Sequence, residues 1–235
     1  MAHGDPMKCR IAELNVELHA SGRTAVQAQP YAAEWEGEAD LTLRADGERA
    51  LACHPELETA DLAEYLASGE YFAMGLLHFD GVMLHSSAVE YAGECVCFSA
   101  PPGVGKSTMT ARWERLFGAE ILNDDKPALR CVDGRWMAFG TPWSGKHDKS
   151  RSAGAPVKAI CFLFRGEENT LTPLTAAEAL PLFLSQTVFR LDKAGMDRLL
   201  ALADRLLREV PVYRITCRND DSAASFARKA LFDQP

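Results

Sequence analysis

The sequence has no excess of positive charge. Its 25 Lys and Arg are outnumbered by 33 Asp and Glu, for a formal net charge of −8. That balance argues against nucleic acid as the main partner, because a phosphate backbone demands clustered cations. The strongest basic patch, Lys146, Lys149 and Arg151, is short. No apolar run approaches the roughly 18–20 residues that a spanning helix requires, so no membrane partner is expected. The first residues lack a charged start followed by an apolar stretch, so no secretory signal is expected either. "MAHGDP" ahead of Met7 reads as an appended leader with the native start at Met7, and is left out of the fold reading. Neither an internal repeat nor a low-complexity tract is present. What remains is 235 residues, 47% of them hydrophobic, with room for one large domain or for a core plus a small accessory lobe.

The seven cysteines, Cys9, Cys53, Cys95, Cys97, Cys131, Cys161 and Cys217, are odd in number. Four of them sit in apolar, strand-like runs, as reduced buried thiols of a cytoplasmic protein do. Cys95-x-Cys97 is expected to alternate faces on a strand, and so not to grip a metal as C-x-x-C does.

Along the chain, residues 8–45 read as short strands separated by turns, with Leu14, Val16 and Leu18 on one face. "PELETADLAEYLAS" (55–68) has helical spacing. "GVMLHSSAVEY" and "ECVCFSA" read as strands joined at a tight Ala92-Gly93 turn. "TMTARWERLF" reads as a helix capped by Gly118, "AEIL" as a brief strand, and "PALRCV" with "RWMAF" as a hairpin about Asp133-Gly134. Residues 140–156, "GTPWSGKHDKSRSAGAP", form a long polar loop, and loops of that length in compact domains are usually functional or disordered. "VKAICFLF" reads as a strand buried on both faces. "TAAEALPLFLSQTVF" and "AGMDRLLALADRLLREV" read as helices, the second with a stripe of Met196, Leu199, Leu200, Ala203, Leu206 and Leu207. A last strand, "VPVYRITC", precedes a last helix with Ser222 as candidate N-cap. The expected fold class is mixed α/β, with an N-terminal β-rich lobe over residues 1–75 and an α/β nucleotide-binding domain over 76–235.

The chemistry concentrates in "SAPPGVGKSTMTARWERLFGAEILNDDK". A phosphate-binding loop needs convergent backbone N–H groups, a lysine to reach the outer phosphates, and a hydroxyl for magnesium. Gly103, Val104, Gly105, Lys106, Ser107 and Thr108 supply these between an apolar strand and a helix, the context that the motif requires. The usual first glycine is replaced by Ala100, a methyl that is tolerated where φ is negative. Asp124 and Asp125 end the next strand, where one carboxylate can hold Mg²⁺ and the other can deprotonate an attacking hydroxyl. His85 lies one hairpin arm before the loop strand, within reach of the phosphate end of the sheet. Trp143 either stacks on a base or covers the core, and His78 and His147 have no assignment.

"LHSSAVEYAGECVCFSAPPGVGKST" followed by "ILNDDK" resembles the catalytic domain of HPr kinase/phosphorylase and its shorter bacterial relatives, which share a nucleotide-binding core with ATP-dependent phosphoenolpyruvate carboxykinase. His85, Glu90, Lys106 and Asp124-Asp125 fall at matching positions, over roughly residues 80–165. "GTPWSGK" and "VKAICFLFRGEEN" are similar to HPr-kinase-like proteins found beside peptide-modification clusters. The family's glycine-rich second signature loop is replaced by "SGKHDKSRSAG". The resemblance implies a P-loop-containing fold and an ATP- and Mg²⁺-dependent cytoplasmic kinase acting on a serine of a protein or peptide, with a homo-oligomeric state compatible. It implies that Lys106 contacts the outer phosphates, Ser107 and Asp125 bind the metal, Asp124 is the catalytic base, and His85 supports the phosphate site. Lys146, Lys149 and Arg151 are candidates for a flexible phosphate clamp. Two other readings stay open: a carboxykinase-like small-molecule enzyme, and a non-catalytic nucleotide-binding scaffold.

Overall fold

The computed structural model describes residues 6–187 and 191–233. The chain opens with β1 (Met7–Ile11) and β2 (Leu14–His19), an antiparallel pair that turns at Ala12-Glu13, and β3 (Leu41–Arg44) adds in parallel to β2. Leu14, Val16 and Leu18 share one buried face, as the alternation requires. Between and after these strands lie two short helices that the sequence reading lacks, α1 (Gly22–Ala28) and α2 (Gly47–Cys53). Neither has an apolar stripe, and α2 buries no residue at all. Hydrophobic periodicity therefore has nothing to register there.

Helix α3 (Ala60–Leu76) begins at Thr59, whose side chain caps the Leu62 N–H. It runs eight residues beyond the expected end at 68, so the expected lobe boundary at 75 falls just before its last residue. Its buried face joins the core of the three-stranded sheet, and that core continues into Met83, Ala128, Phe139 and Trp143.

Nine strands form the second sheet: β4 (Gly81–Met83), β5 (Ser86–Tyr91), β6 (Glu94–Ser99), β7 (Glu120–Asn123), β8 (Ala128–Val132), β9 (Arg135–Phe139), β10 (Gly154–Arg165), β11 (Thr170–Pro173) and β12 (Val212–Cys217). The main path is β4-β8-β9-β10-β6-β5-β7, with β12 parallel to β10 and β11 at the edge beside β12. The sheet is mixed, since β10 also runs parallel to β6 while the hairpins β5–β6 and β8–β9 are antiparallel. Both hairpins turn where expected, with positive φ at Ala92-Gly93 and Asp133-Gly134. "GVMLHSSAVEY" is not one strand. It breaks at Leu84-His85, so that β4 pairs with β8 and β5 pairs with β6 and β7.

Helices cover both faces of this sheet. On one side α4 (Lys106–Phe117) and α7 (Asp221–Phe232) cover Val96, Phe98, Ala159, Cys161 and Leu163. On the other, α5 (Ala176–Leu184) and α6 (Lys193–Glu209) cover Cys95, Cys97, Ile160 and Phe162. The central strand β10 is thus buried on both faces over 159–163, as its continuous apolar run requires. Cys95 and Cys97 share a face, contrary to expectation, because residues two apart on a strand point the same way. All seven cysteines are free thiols. A hydrogen bond with Cys97, followed by burial, pushes the Cys95 thiol well up, and burial does the same to Cys161. These are inert core groups.

Three further expectations are corrected. In α6, Met196 and Leu200 are exposed, and Leu202 takes part in the buried stripe instead. Helix α7 is capped by Asp220, whose carboxylate accepts from Ser222 N–H, and not by Ser222. Helix α5 starts at a Thr175–Glu178 capping box and ends at Leu184; Val188 and Phe189 of its expected span lie outside the described residues.

Trp143 is 1% exposed, stacks on Phe72 at 4.9 Å, and donates its indole N–H to the Ser68 hydroxyl at 3.0 Å. It covers the core, and the base-stacking alternative falls away. A Cβ on Gly69 would lie 2.9 Å from Trp143 Cδ1. Gly69→Val should therefore lower unfolding free energy by about 1–3 kcal/mol through overpacking. An unchanged midpoint in urea denaturation would show that the ring is not held as described.

Candidate functional site

Strand directions bring the candidate residues to one end of the sheet. β5 runs against β6, and β7 runs against β5, so β6 and β7 point the same way. Ser99 at the end of β6, Ser86 at the start of β5 and Asn123 at the end of β7 therefore lie together. β10 and β12 run parallel with β6 and finish at the same edge. In open α/β sheets the crevice beyond the carboxyl ends of the strands is where ligands bind.

From β6 the chain passes through Ala100–Gly105 into α4. Gly103 has φ +81° and Gly105 φ +130°, backbone that side chains rarely adopt. A Cβ at either position would meet nothing within 4 Å, so the loop faces open space. Gly105 is the N-cap of α4 and offers no side-chain cap, which leaves the first N–H groups of the helix, with their partial positive charge, for a ligand. Ala100 is not among the residues with positive φ, so its methyl carries no backbone strain. Ser107 is half-buried and Thr108 exposed.

Lys106 is buried at 8% exposure, and its ammonium donates to the Ala100 carbonyl at 2.7 Å. Burial lowers its pKa, and the Asp125 charge acts the other way. The loop has a second tether that the sequence reading missed. Arg165, at the end of β10, donates Nε to the Val104 carbonyl at 3.2 Å and Nη2 to that of Gly103. The sequence signal for it was a lone basic residue closing the apolar run of β10.

The aspartate turn is built on Asn123. This residue is fully buried, its Nδ2 donating to the Thr141 carbonyl at 3.0 Å and to the Trp143 carbonyl at 3.3 Å. Its Oδ1 accepts from the N–H groups of Asp125 (2.8 Å) and Lys126 (2.7 Å), an Asx turn. The turn is held further where Ser87 donates its hydroxyl to the Asp124 carbonyl at 2.8 Å.

Asp124 is 5% exposed, and its Oδ1 accepts the Gly145 N–H at 2.6 Å. Burial raises its pKa against that hydrogen bond; the Asp125 charge adds to the rise and His147 opposes it. His85 Nε2 lies 3.1 Å from Asp125 Oδ1. Burial alone would raise the Asp125 carboxyl, but the His85 hydrogen bond and charge, with Lys126 and Lys106, bring it below the usual range. His85 owes its place to the break between β4 and β5: its N–H donates to the Gln186 carbonyl (2.9 Å) and its carbonyl accepts the Ser99 hydroxyl (2.9 Å).

Lys106, Asp125, Asp124 and His85 thus form one electrostatically coupled group beside an uncapped helix N-terminus. Glu90 is not part of it. It lies on β5 roughly 16 Å of strand beyond His85 and pairs with Arg151, which also pairs with Glu120. Lys149 pairs with Glu114 at 2.6 Å. Two of the three residues of the expected basic clamp are therefore latches that fasten the 140–153 loop to the body; Lys146 is exposed and has no such pair among the described residues. That loop is not free, since Asp124 N–H donates to the Lys149 carbonyl and Arg151 N–H to that of Leu122. His78 accepts from Arg198 at 3.2 Å, away from the site.

No family model matches the chain, and no curated protein does. Among solved structures, the HPr(Ser) kinase/phosphatase from Coxiella burnetii is similar over 63% of this chain and 92% of its own, at 10% identity and a TM-score of 0.36. Among the described residues no helix is long and apolar enough to cross a membrane.

The two aspartates should respond oppositely to removal of their charge. Asp125 has a depressed folded-state pKa, so its contribution to stability is present above the ordinary carboxylate range and is lost as pH falls through the folded value. Asp124 has a raised one, so its contribution is present in acid and is lost as pH rises through the folded value. At about pH 7, Asp125→Asn should therefore lower the melting temperature and Asp124→Asn leave it equal or higher; the Asp124 difference should fade as pH falls toward about 4, whereas the Asp125 difference should persist to that pH and fade only below it. Thermal unfolding across that range checks this, and shifts of the same sign would contradict it. Asn123→Ala should cost about 2–4 kcal/mol, because two N–H groups and two carbonyls lose a partner together; denaturant titration reads that loss.

Proposed function

We propose that the chain is an ATP-dependent, magnesium-requiring phosphotransferase of the HPr-kinase-like class, with a P-loop, that transfers the γ-phosphate to a serine hydroxyl of a protein or peptide. The observation that carries the reading is the meeting of Lys106, Asp125, Asp124 and His85 at the uncapped start of α4. Seven free thiols favour a reducing, cytoplasmic setting.

The backbone of Gly103, Val104, Gly105, Lys106, Ser107 and Thr108 would cradle the phosphates, with the Lys106 ammonium leaving the Ala100 carbonyl for an outer phosphate oxygen. Asp125 and the Ser107 hydroxyl are the residues that would hold Mg²⁺. Among the described residues no three or more His, Cys, Asp or Glu are placed so that they could hold a metal ion by themselves, and one carboxylate with one hydroxyl suits a metal that draws its other ligands from phosphates and water. When bound, Mg²⁺ neutralises charge on the transferring group. His85 orients the Asp125 carboxylate through its hydrogen bond. Asp124 takes the proton of the attacking serine hydroxyl while the new O–P bond forms and the β–γ bridge bond breaks, releasing ADP. A raised pKa makes it a stronger base than an ordinary aspartate. Lys106 offsets the charge that develops.

A carboxykinase-like reading needs basic side chains converging opposite the phosphates, and the neighbouring Lys149 and Arg151 are instead paired with glutamates. Against a non-catalytic scaffold stands the complete set of Lys106, Ser107, Asp124 and Asp125, now with Ala100 unstrained.

Incubation with γ-labelled ATP, Mg²⁺ and candidate proteins or peptides should place label on a serine, and excess chelator should abolish transfer. Lys106→Ala should weaken ATP binding at least about tenfold through loss of a charge-assisted contact; an unaltered affinity by calorimetry would remove the cradle assignment. Asp124→Asn should bind ATP normally yet transfer about 10²–10⁴-fold more slowly. Wild-type transfer by that variant would mean that Asp124 is not the base.

A further inference from the structure

The loop that holds Asp124 is itself held by the N-terminal lobe. Tyr65 of α3 is 4% exposed, and its hydroxyl accepts the Ser144 N–H at 2.7 Å. The same oxygen lies 3.0 Å from the Ser144 carbonyl and 3.2 Å from that of Pro142, so its single proton is directed at the same short stretch. One residue earlier on that stretch, Trp143 is anchored by Ser68 and Phe72. One residue later, Gly145 gives its N–H to the Asp124 carboxylate. The fit there is close, since a Cβ on Gly145 would lie 3.3 Å from both carboxylate oxygens and from Asp125 Cβ.

Arg23 of α1 completes the mount. Its guanidinium lies 4.6 Å over the Tyr65 ring, and its Nη2 pairs with Asp148 at 2.5 Å. Asp148 N–H in turn donates to the Gly145 carbonyl at 3.1 Å, closing a tight turn. Thus α1 and α3 grip residues 142–148 at three points, and the loop reaches the Asp124 carboxylate itself through the Gly145 N–H.

We propose that Tyr65 is a positioning residue for Asp124, acting through Ser144 and Gly145, so that the N-terminal lobe sets the geometry of proton removal in the α/β domain. The mechanical half stands on the hydrogen bonds alone; the catalytic half rests on the reading of Asp124 as the base. Tyr65 is more than 60 positions before the loop in sequence and has no contact with the phosphate cradle, so its loss should reach the proton-transfer step and spare ATP binding.

The test uses Tyr65→Phe in the full chain, which keeps the ring and removes the hydroxyl, with Ser68→Ala as a control that loosens Trp143 from the same helix. NMR amide exchange reads Gly145 directly, and phosphate release from Mg²⁺-ATP, with water as acceptor, reads turnover. Tyr65→Phe should speed Gly145 exchange about tenfold, the order of one lost hydrogen bond. It should lower kcat about tenfold or more while KM for ATP stays within about twofold, as a displaced catalytic group does. Ser68→Ala should leave both near wild type. Unchanged Gly145 exchange overturns the proposal, as does an equal loss of kcat in Ser68→Ala, which would reduce Tyr65 to general support. Should Tyr65→Phe not fold, Arg23→Gln loosens the same turn from its other side, and unchanged Gly145 exchange there overturns the proposal equally. If Asp124→Asn turns over ATP at the wild-type rate, the base assignment fails, and Gly145 exchange alone decides whether Tyr65 holds the loop.

Discussion

The buried side-chain amide of Asn123 is the interaction on which the site depends. Its oxygen gathers the N–H groups of Asp125 and Lys126, and its nitrogen reaches the carbonyls of Thr141 and Trp143. A side chain that must satisfy both donors and acceptors in a place without water can do so in few arrangements. Here the arrangement fixes the carboxylate turn and ties it to the start of the 140–153 loop. Without it the aspartates would end a four-residue strand, β7, paired with β5 on one side and held elsewhere by single hydrogen bonds from Ser87 and to and from the 140–153 loop.

Around that amide the charges are arranged asymmetrically. Asp125 receives His85, Lys126 and Lys106, whereas Asp124 is buried against one backbone N–H and the repulsion of its neighbour. Two adjacent identical residues therefore differ in proton affinity for reasons of environment alone. Environments that push two neighbouring carboxylates apart in this way let one fold keep one of them ionised and the other proton-seeking. The separation also costs stability at Asp124 where the carboxyl is ionised, because burial disfavours the charge.

Much of this was legible in local sequence because the signals were local. The "GVGKS" run between an apolar strand and a helix, the Ala92-Gly93 and Asp133-Gly134 turns, and the continuous apolar run of β10 each carry their own physical cause within a few residues. The break at Leu84-His85 was not legible. An apolar run, Val82 to Leu84, gives way to the polar His85 to Ser87 with no turn residue between them, and only pairing with two different neighbours, β8 and then β6, divides the strand. Arg165 and Asn123 were missed for a related reason: each works by hydrogen bonds to backbone groups, Arg165 some sixty residues away in sequence and Asn123 in part some twenty, and such partners leave no periodicity. The basic residues of the 140–153 loop were misjudged in the opposite direction. Lys149 and Arg151 looked like free cations in an acidic chain, but an acidic chain is where cations find partners, and Glu114, Glu90 and Glu120 had already taken them.

Those latches explain how a fourteen-residue loop without regular structure can keep a fixed contact with the Asp124 carboxylate. At its far end Arg151 is fastened to β5 and β7, in the middle Lys149 to α4, and at its near end Trp143 and Ser144 to α3. Individually the exposed pairs contribute little, because solvent screens them. The buried end differs: Trp143 is stacked and hydrogen-bonded, and Tyr65 is locked beneath Arg23. The loop is therefore fastened where Gly145 meets Asp124, while Lys146 and His147 of the same turn are exposed.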